Sequence, residues 1–262
     1  MTLRVGVFGA GGRMGSTVCR AVDGDPALDL VAAVDPHHAG LDISQVTGCD
    51  QTFHVAAEGQ AFLDANVDVV IDFTHLEAAR ANLLWLAEHS IHAVAGTTGF
   101  SETDLQAFRE AYLNSNCVIA PNFAIGAVLM MRFAEIAAPF FETAEIVELH
   151  HDAKIDAPSG TAMLTAERMA EASSDWAADP TKTELLPGAR GGKGPADIRV
   201  HSLRLRGMVA HQEVILGTTG QTLTLRHDSY DRDSFMPGVL LATKAVSDRP
   251  GVTIGLDALL AL

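Results

Sequence analysis

The side chains best suited to chemistry are concentrated in one stretch, ELHHDAKIDAPSGTA, at residues 148–162. It holds two histidines, a lysine, two aspartates and a Ser-Gly-Thr turn. Such a set suits a metal site, a proton-transfer site or a polar loop. His150 and His151 are neighbours at the end of a predicted strand, where side chains point to opposite faces. That geometry is poor for chelation, and we expect no metal.

The second half of this stretch predicts an anion site. Ser159 is a good N-cap for a helix that begins at Gly160. The N–H groups of Gly160, Thr161 and Ala162 would then point towards one spot beside Lys154. Charge-assisted hydrogen bonds contribute about 1.5 to 3 kcal/mol each, against about 0.3 to 1 kcal/mol for an exposed helix dipole. The pattern therefore favours a substrate that carries a carboxylate.

A basic segment lies between Gly188 and Gly207. It holds one acidic residue, Asp197, and the five basic residues Arg190, Lys193, Arg199, Arg204 and Arg206. A solvated loop and strand face explains such a cluster. The alternative is a local positive field that attracts a dianion.

A glycine-rich turn near the start of the chain predicts dinucleotide binding. Gly9 to Gly15, GAGGRMG, follows the first predicted strand and opens a helix, which would place a pyrophosphate at the helix N-terminus. Asp35 ends the second predicted strand, where a carboxylate accepts hydrogen bonds from the adenosine ribose hydroxyls. An ordinary strand-to-helix turn is the alternative. We expect NADH because Asp35 would repel a 2'-phosphate, but Arg13 could pair with that phosphate, which leaves NADPH open.

Two further loops follow predicted strands in the same half. They are Gly96-Thr97-Thr98-Gly99 and Ala120-Pro121-Asn122-Phe123. Both lie at carboxyl ends of strands, the side on which doubly wound folds bind ligands. Turn formation alone would explain them equally well.

The elements that must position these residues alternate along the first 120 residues. The short apolar runs LRVGVF, LDLVAAV, VDVVIDF, IHAVAG and NCVIAP are typical of buried parallel strands. Helical patterns separate them, one opened by Ser101 as N-cap. The fold class expected is α/β, a Rossmann-like doubly wound parallel sheet.

After Phe123 the pattern changes. A long apolar helix from about Ile125 to Phe141, expected to be buried, leads into a strand and the helix from Gly160. Three successive strand-like segments, DIRVHSLRLR, AHQEVILG and QTLTLRH, predict a second α+β domain with a mixed, partly antiparallel sheet. We expect a dinucleotide-binding domain at 1–122, a substrate-binding and oligomerisation domain at 123–231, and a return to the first domain at 232–262.

Composition limits the class of protein. The chain has 262 residues, 48% of them apolar, and a formal net charge of -15, which argues against nucleic acid as a partner. Its longest apolar region is interrupted by proline and charge, which argues against a membrane span. Three widely spaced cysteines, Cys19, Cys49 and Cys117, indicate reduced, buried thiols in a cytoplasmic protein.

Several motifs along the whole chain resemble one family, 4-hydroxy-tetrahydrodipicolinate reductase (dihydrodipicolinate reductase) of diaminopimelate and lysine biosynthesis. The residues that carry the resemblance are VGVFGAGGRMG, VIDFTH, GTTGF, APNF, ELHHDAKIDAPSGTA, RGMVAHQEV and DRDSFMPG. The block around ELHHDAKIDAPSGTA is far more specific than any glycine pattern.

The resemblance implies hydride transfer from NADH or NADPH to a cyclic dicarboxylate imine, without a metal, in a homotetramer. It implies an acid/base pair, His150 and Lys154, without deciding which donates the proton. The residues implied to bind the substrate carboxylates are His151, Gly160 and Thr161, beside the N-cap Ser159. Those implied to bind the cofactor are Gly9, Ala10, Gly11, Gly12, Arg13, Met14, Asp35, Gly96, Thr97, Thr98, Ala120, Pro121, Asn122 and Phe123.

This sequence departs from the family pattern at two positions. Pro36 follows the strand-end acid where many relatives carry a basic residue, which leaves the cofactor preference open. Ala210 stands before His211 where glycine is common, a small change expected only to shift the loop conformation.

Two other classes of protein compete with this interpretation. An aspartate or homoserine dehydrogenase would share the cofactor half but would not explain Lys154 beside Ser159, Gly160 and Thr161. A redox-sensing regulator that binds NADH should carry a basic helix-turn-helix module, and the acidic sequence shows none.

Overall fold

The computed structural model describes residues 2–260 and divides into two compact units. Of the described residues, one unit comprises 2–123 with 235–260, and the other comprises Ala124–Ser234. Each unit is built around its own sheet.

The first unit holds a six-stranded sheet in the order β11-β5-β4-β3-β1-β2. Its strands are β1 (Leu3–Phe8), β2 (Leu28–Val34), β3 (Val69–Asp72), β4 (His92–Ala95), β5 (Asn116–Ile119) and β11 (Gly251–Ile254). Every pairing in it is parallel. The predicted Rossmann-like doubly wound sheet is therefore confirmed.

Helices connect these strands, as parallel pairing requires. They are α1 (Arg13–Asp23), α2 (Ile43–Thr47), α3 (Gln60–Asp64), α4 (Leu76–Glu88), α5 (Glu102–Ala111) and α8 (Met236–Ala245), and a further helix, α9 (Asp257–Leu260), follows the last strand. Ser101 caps α5 through a reciprocal hydrogen-bonding box with Asp104, as predicted. The core of the unit is apolar and includes Phe62, Leu83, Phe108 and Tyr112.

The second unit holds a five-stranded mixed sheet in the order β10-β9-β6-β8-β7. Its strands are β6 (Thr143–His150), β7 (Gly192–Lys193), β8 (Arg199–Arg204), β9 (Ala210–Thr218) and β10 (Gln221–Ser229). β6 pairs parallel with β8 and antiparallel with β9. The predicted mixed, partly antiparallel sheet is confirmed.

Two helices, α6 (Ile125–Ala137) and α7 (Gly160–Ala172), complete the second unit. The predicted long helix ends four residues early, because Pro139 lies in a 3-10 turn, Ala138–Phe140, that follows α6. The expectation that this helix is buried was wrong along one edge. Phe133 and Ile136 are 47% and 53% exposed.

No helix within residues 2–260 has both the length and the apolar character needed to cross a membrane. The three cysteines are buried and form no disulfide with one another.

Candidate active site

The cofactor residues suggested by the sequence all follow strands of the parallel sheet. The glycine turn follows β1, Asp35 follows β2, Gly96 to Thr98 follow β4, and Ala120 to Phe123 follow β5. Since the carboxyl ends of parallel strands share one edge of a sheet, these loops lie along one edge of the first unit. The chain order also reverses there, because β1 lies between β2 and β3.

The glycine turn has the geometry that a nucleotide-binding loop requires. Gly9 adopts a φ of +70°, which favours glycine. A Cβ added at Gly15 would lie 2.0 Å from the Gly9 carbonyl oxygen, so helix and turn approach too closely for any side chain. Gly12 caps α1 without a side-chain hydrogen bond. The start of α1, where Arg13 is exposed, is therefore not covered by a capping side chain and suits an anion.

Asp35 faces this turn. Its Oδ2 accepts a hydrogen bond from the Gly11 N–H at 2.9 Å, and its Oδ1 accepts one from the His37 N–H at 3.0 Å. The His38 Nδ1 lies 3.1 Å from the same Oδ1. Burial by itself raises the pKa of Asp35, but the hydrogen bonds from His38, Gly11 and His37 outweigh it and hold the pKa below its usual value. The carboxylate is therefore an anion at neutral pH.

The other two loops divide into buried and exposed parts. Thr97 is buried and donates its hydroxyl to the Thr74 carbonyl at 2.8 Å. Ala120 and Phe123 are also buried, as is Ala10 of the glycine turn. Any contact of these residues with a cofactor would thus run mainly through the backbone. Pro121 and Thr98 are exposed.

A cavity of about 550 Å³ opens beside the turn and is lined by Gly9, Gly12 and Asp35. This volume lies within the usual range of about 300 to 1,000 Å³ for small-molecule sites. The wall also includes side chains that the sequence did not assign to the cofactor site: His37, Glu58, His75, Asn82 and Trp85. They come from two separate connections, β2 to β3 and β3 to β4, which only the fold brings together.

In the second unit, His150 is the last residue of β6 and is joined to a buried carboxylate. Its Nδ1 lies 2.5 Å from Oε2 of Glu148, whose side chain is 0% exposed. Two guanidinium nitrogens of Arg204 donate to the two oxygens of Glu148 at 2.9 and 2.8 Å. The Ser159 N–H donates to Oε1 at 3.3 Å. One carboxylate therefore connects His150, β8 and the start of α7.

The surroundings set the charge state of His150. Burial lowers its pKa, and the nearby charges of Lys154 and Arg204 lower it further. The hydrogen bond and charge of Glu148 raise the pKa but do not fully offset these effects. His150 is therefore mainly neutral at pH 7 in the absence of a further anion.

Lys154 lies in the loop after β6. Its ammonium is 2.8 Å from both carboxylate oxygens of Asp156. Arg204 fixes the same loop by donating to the Asp156 carbonyl at 2.6 Å. His151 is exposed at the start of the loop. The fold thus places His150, His151 and Lys154 in one region of the second unit.

Ser159 caps α7 as predicted, because its side chain accepts the Ala162 N–H at 3.2 Å. This corrects one expectation. The Ala162 N–H belongs to the cap and is therefore not available to an anion. Gly160 is exposed, with nothing within 4 Å of the position a Cβ would take.

All five basic residues of the segment have acidic partners, which weakens the local positive field that the sequence suggested. Arg190 and Arg199 contact Asp179, Arg204 contacts Glu148, and the remaining pairs are Lys193–Asp197 and Arg206–Asp152. Paired charges cancel at a distance. Arg204 and Lys154 are the cations whose charges lower the pKa of His150.

Residues 2–260 contain no group of three or more His, Cys, Asp or Glu side chains arranged to hold a metal ion. The most important residue not singled out by sequence reasoning is Glu148. Its only sequence signal is its position two residues before His150, on the same face of a strand.

Comparison with known proteins decides the family. The family model described as dihydrodipicolinate reductase, N-terminus, matches residues 3–123, and the one described as dihydrodipicolinate reductase, C-terminus, matches residues 126–260. The chain belongs to the dihydrodipicolinate reductase family. Curated relatives include the 4-hydroxy-tetrahydrodipicolinate reductases of Cutibacterium acnes, 49% identical over 99% of both chains, and Nocardia farcinica, 49% identical over 100% of both.

Solved structures agree with this assignment. The dipicolinate-bound dihydrodipicolinate reductase of Paenisporosarcina sp. TG-14 has a TM-score of 0.86 and 38% identity, covering 98% of this chain and 99% of that one. An amine dehydrogenase of Mycobacterium smegmatis has a TM-score of 0.65 at 12% identity, which indicates a shared fold only. The dihydrodipicolinate reductase family is thus matched over both units.

Proposed function

We propose that this chain is an NAD(P)H-dependent oxidoreductase that reduces 4-hydroxy-tetrahydrodipicolinate to tetrahydrodipicolinate in lysine and diaminopimelate biosynthesis. The substrate loses its hydroxyl group and a proton from the adjacent ring carbon as water, and the conjugated imine that remains gains a hydride and a proton, so the atoms balance. The observation that carries this proposal is the match of both halves of the chain to one reductase family.

The residues of the first unit suit a nicotinamide dinucleotide, which supplies the hydride when bound. The turn Gly9 to Gly12 and the start of α1, Arg13 and Met14, would hold its pyrophosphate. A carboxylate has about four acceptor sites, so Asp35 keeps one for a ribose hydroxyl beside its three present contacts. The loops Gly96 to Thr98 and Ala120 to Phe123 would line the remainder.

We assign the proton transfer to His150. Hydride addition to a conjugated ring imine leaves an enamine, which must gain a proton. The Nδ1 of His150 is held by Glu148, and within residues 2–260 no hydrogen bond is formed by its Nε2, which can therefore serve the substrate. A dianionic substrate nearby would favour the imidazolium, since an opposite charge raises a histidine pKa.

Lys154 would hold a substrate carboxylate and support this proton transfer as the other member of the acid/base pair. His151 and the N–H groups of Gly160 and Thr161 would bind the carboxylates. Ser159 contributes by capping the helix that presents those N–H groups.

The preference between NADH and NADPH depends on the charge of the protein beside the adenosine ribose. Asp35 is ionised, and its neighbour Pro36 carries no cation to offset repulsion of a 2'-phosphate. We therefore propose NADH as the preferred cofactor, with NADPH also used through the exposed Arg13.

The proposed function is tested in a coupled assay in which a dihydrodipicolinate synthase supplies the substrate. We expect NADH oxidation only when the synthase and both of its substrates are present, and a higher kcat/KM with NADH than with NADPH. A folded protein that consumes neither cofactor in this assay would contradict the function. A higher kcat/KM with NADPH would contradict only the preference.

The second unit presents a sheet face that suits a second copy of the chain. Helices α6 and α7 cover one face, on which Ile146 and Val214 are fully buried. On the other face Val147, Leu149 and Ile215 remain only half-buried. β10 is also an edge strand, with nine residues, and such edges readily pair with another chain. We propose that this face assembles the homotetramer.

Replacing Val147 by glutamate should disrupt this assembly, because the new carboxylate would lie directly opposite Glu213 of β9 and like charges opposite each other on a sheet are destabilising. Light scattering after size exclusion should show a tetramer for the unaltered chain and smaller species for Val147→Glu. Leu113→Glu is the control, since Leu113 is 79% exposed in the first unit. A tetramer that persists in folded Val147→Glu would place the interface elsewhere.

We further propose that the protein acts in the cytoplasm, where its buried cysteines stay reduced.

The domain division proposed from the sequence assigns cofactor binding to residues 1–122 and assigns substrate binding and assembly to residues 123–231. It places residues 232–262 with the cofactor-binding domain.

A further inference from the structure

Glu148 is a buried charge for which neither hydride transfer nor carboxylate binding has a direct use. Its side chain is 0% exposed, and buried carboxylates are costly unless they are paired and hydrogen-bonded. It lies on the same face of β6 as His150, because alternate residues of a strand share a face. Its position therefore couples it to the proposed proton donor.

The contacts of Glu148 fix its geometry on every side. Arg204 holds both carboxylate oxygens, at 2.9 and 2.8 Å, and the Ser159 N–H approaches Oε1 at 3.3 Å. The Oε2 atom lies 2.5 Å from the His150 Nδ1. A carboxylate held from two other elements cannot rotate away, so it constrains the imidazole ring.

The charge state of this carboxylate decides which ring nitrogen carries the proton. Burial raises the pKa of Glu148, but hydrogen bonds from Arg204, Ser202 and His150 outweigh it and keep the pKa below its usual value. An ionised carboxylate only accepts hydrogen bonds. Neutral His150 must therefore carry its proton on Nδ1, which leaves Nε2 as the nitrogen that exchanges protons.

We propose that Glu148 is a positioning residue for His150: it fixes the Nδ1–H tautomer and ring orientation, and it supplies the negative charge that supports the imidazolium. This inference rests on the proposed function, in which His150 donates the proton. The charged groups around His150 are Glu148 on β6, Arg204 on β8 and Lys154 in the following loop. Asp156 is paired with Lys154 and is bridged to Arg204 through its carbonyl.

The variant Glu148→Gln separates charge from hydrogen bonding. Its amide oxygen still accepts the Nδ1–H, whereas the charge is lost and Arg204 is left to oppose the imidazolium. We expect the alkaline limb of the kcat/KM profile, which reports free-enzyme groups, to move about one pH unit lower. On that limb, one unit corresponds to about a tenfold loss of kcat/KM. The KM for NADH should change little.

Glu145→Gln is the matched control. Glu145 lies on the same strand and also contacts a histidine and an arginine, with His201 Nε2 at 2.7 Å and Arg190 at 2.5 Å. We expect its pH profile to match that of the unaltered enzyme. If Glu148→Gln lowers kcat/KM equally at every pH, the residue has only a structural role and the proposal fails.

A measurement on the unaltered protein covers the case in which Glu148→Gln does not fold. Nitrogen-15 NMR of the histidine rings, with His150 assigned by comparison with His150→Gln, reports the tautomer directly. We expect the Nδ1–H form above the pKa of His150. The Nε2–H form would overturn the proposal, and because this reading needs no turnover, it is independent of whether the coupled assay succeeds.

Discussion

Replacing His150 by glutamine is expected to lower kcat by about 100- to 10,000-fold, the range for loss of a general acid or base. Glutamine can keep a hydrogen bond to Glu148 but has no proton to release in the working pH range. Glu148 also keeps its contacts with Arg204 and Ser159, so we expect the fold to persist. The dissociation constant for NADH should stay within about threefold of its original value, below the effect of losing a single typical hydrogen bond. Single-turnover kinetics and a fluorescence titration with NADH measure the two quantities.

His151→Gln provides the comparison that distinguishes chemistry from binding. The two histidines are adjacent, but only His150 contacts the buried carboxylate. We expect His151→Gln to raise the KM for the dicarboxylate more than it lowers kcat. If the NADH affinity of His150→Gln collapsed, His150 would belong to the cofactor site and the proton-transfer assignment would be wrong.

The sequence predicted the features that depend on local patterning. Short apolar runs marked the parallel strands, because strands covered on both faces contain few polar residues. Ser101 and Ser159 marked helix starts, because a hydroxyl just before an apolar-periodic segment satisfies an N–H that the helix cannot. The glycine turn was recognisable because Gly9 and Gly15 meet steric limits that only glycine satisfies.

The features that the sequence did not predict depend on contacts across strands. Arg204 and Glu148 are 56 positions apart, so no spacing rule relates them. The pairing between β6 and β8 aligns His150 with Arg204 and thereby brings the guanidinium to the carboxylate. The basic segment appeared as a positive field for the same reason, because partners such as Glu145 and Asp179 lie outside it.

The exposed edge of α6 shows a second limit. Its composition is almost entirely apolar, a pattern that predicts burial on all sides. Nevertheless Phe133 and Ile136 reach solvent. An apolar composition is shared by helices that their own chain covers on all sides and by helices that keep one apolar edge exposed in the single chain. Composition alone therefore does not distinguish the two.

Lys154→Ala is expected to lower kcat/KM for the dicarboxylate by about 10- to 150-fold, the equivalent of one charge-assisted hydrogen bond of about 1.5 to 3 kcal/mol. The ammonium is now paired with Asp156 at 2.8 Å. A substrate carboxylate must share or replace that partner. NADH affinity should change little, and calorimetry with pyridine-2,6-dicarboxylate should show weaker binding to the variant. Equal binding of this ligand by both proteins would contradict the carboxylate role of Lys154.

Asp156→Asn is the control for this pair, and the pH profiles then identify the proton donor. Removing the competing carboxylate leaves the Lys154 charge in place, so dicarboxylate affinity should rise or stay unchanged. If His150 delivers the proton, Lys154→Ala keeps the alkaline limb of the kcat/KM profile, shifted to higher pH because a neighbouring cation is lost. His150→Gln abolishes that limb. In the opposite outcome, the alkaline limb would be lost in Lys154→Ala and retained in His150→Gln. That result would assign the proton-donor role to Lys154.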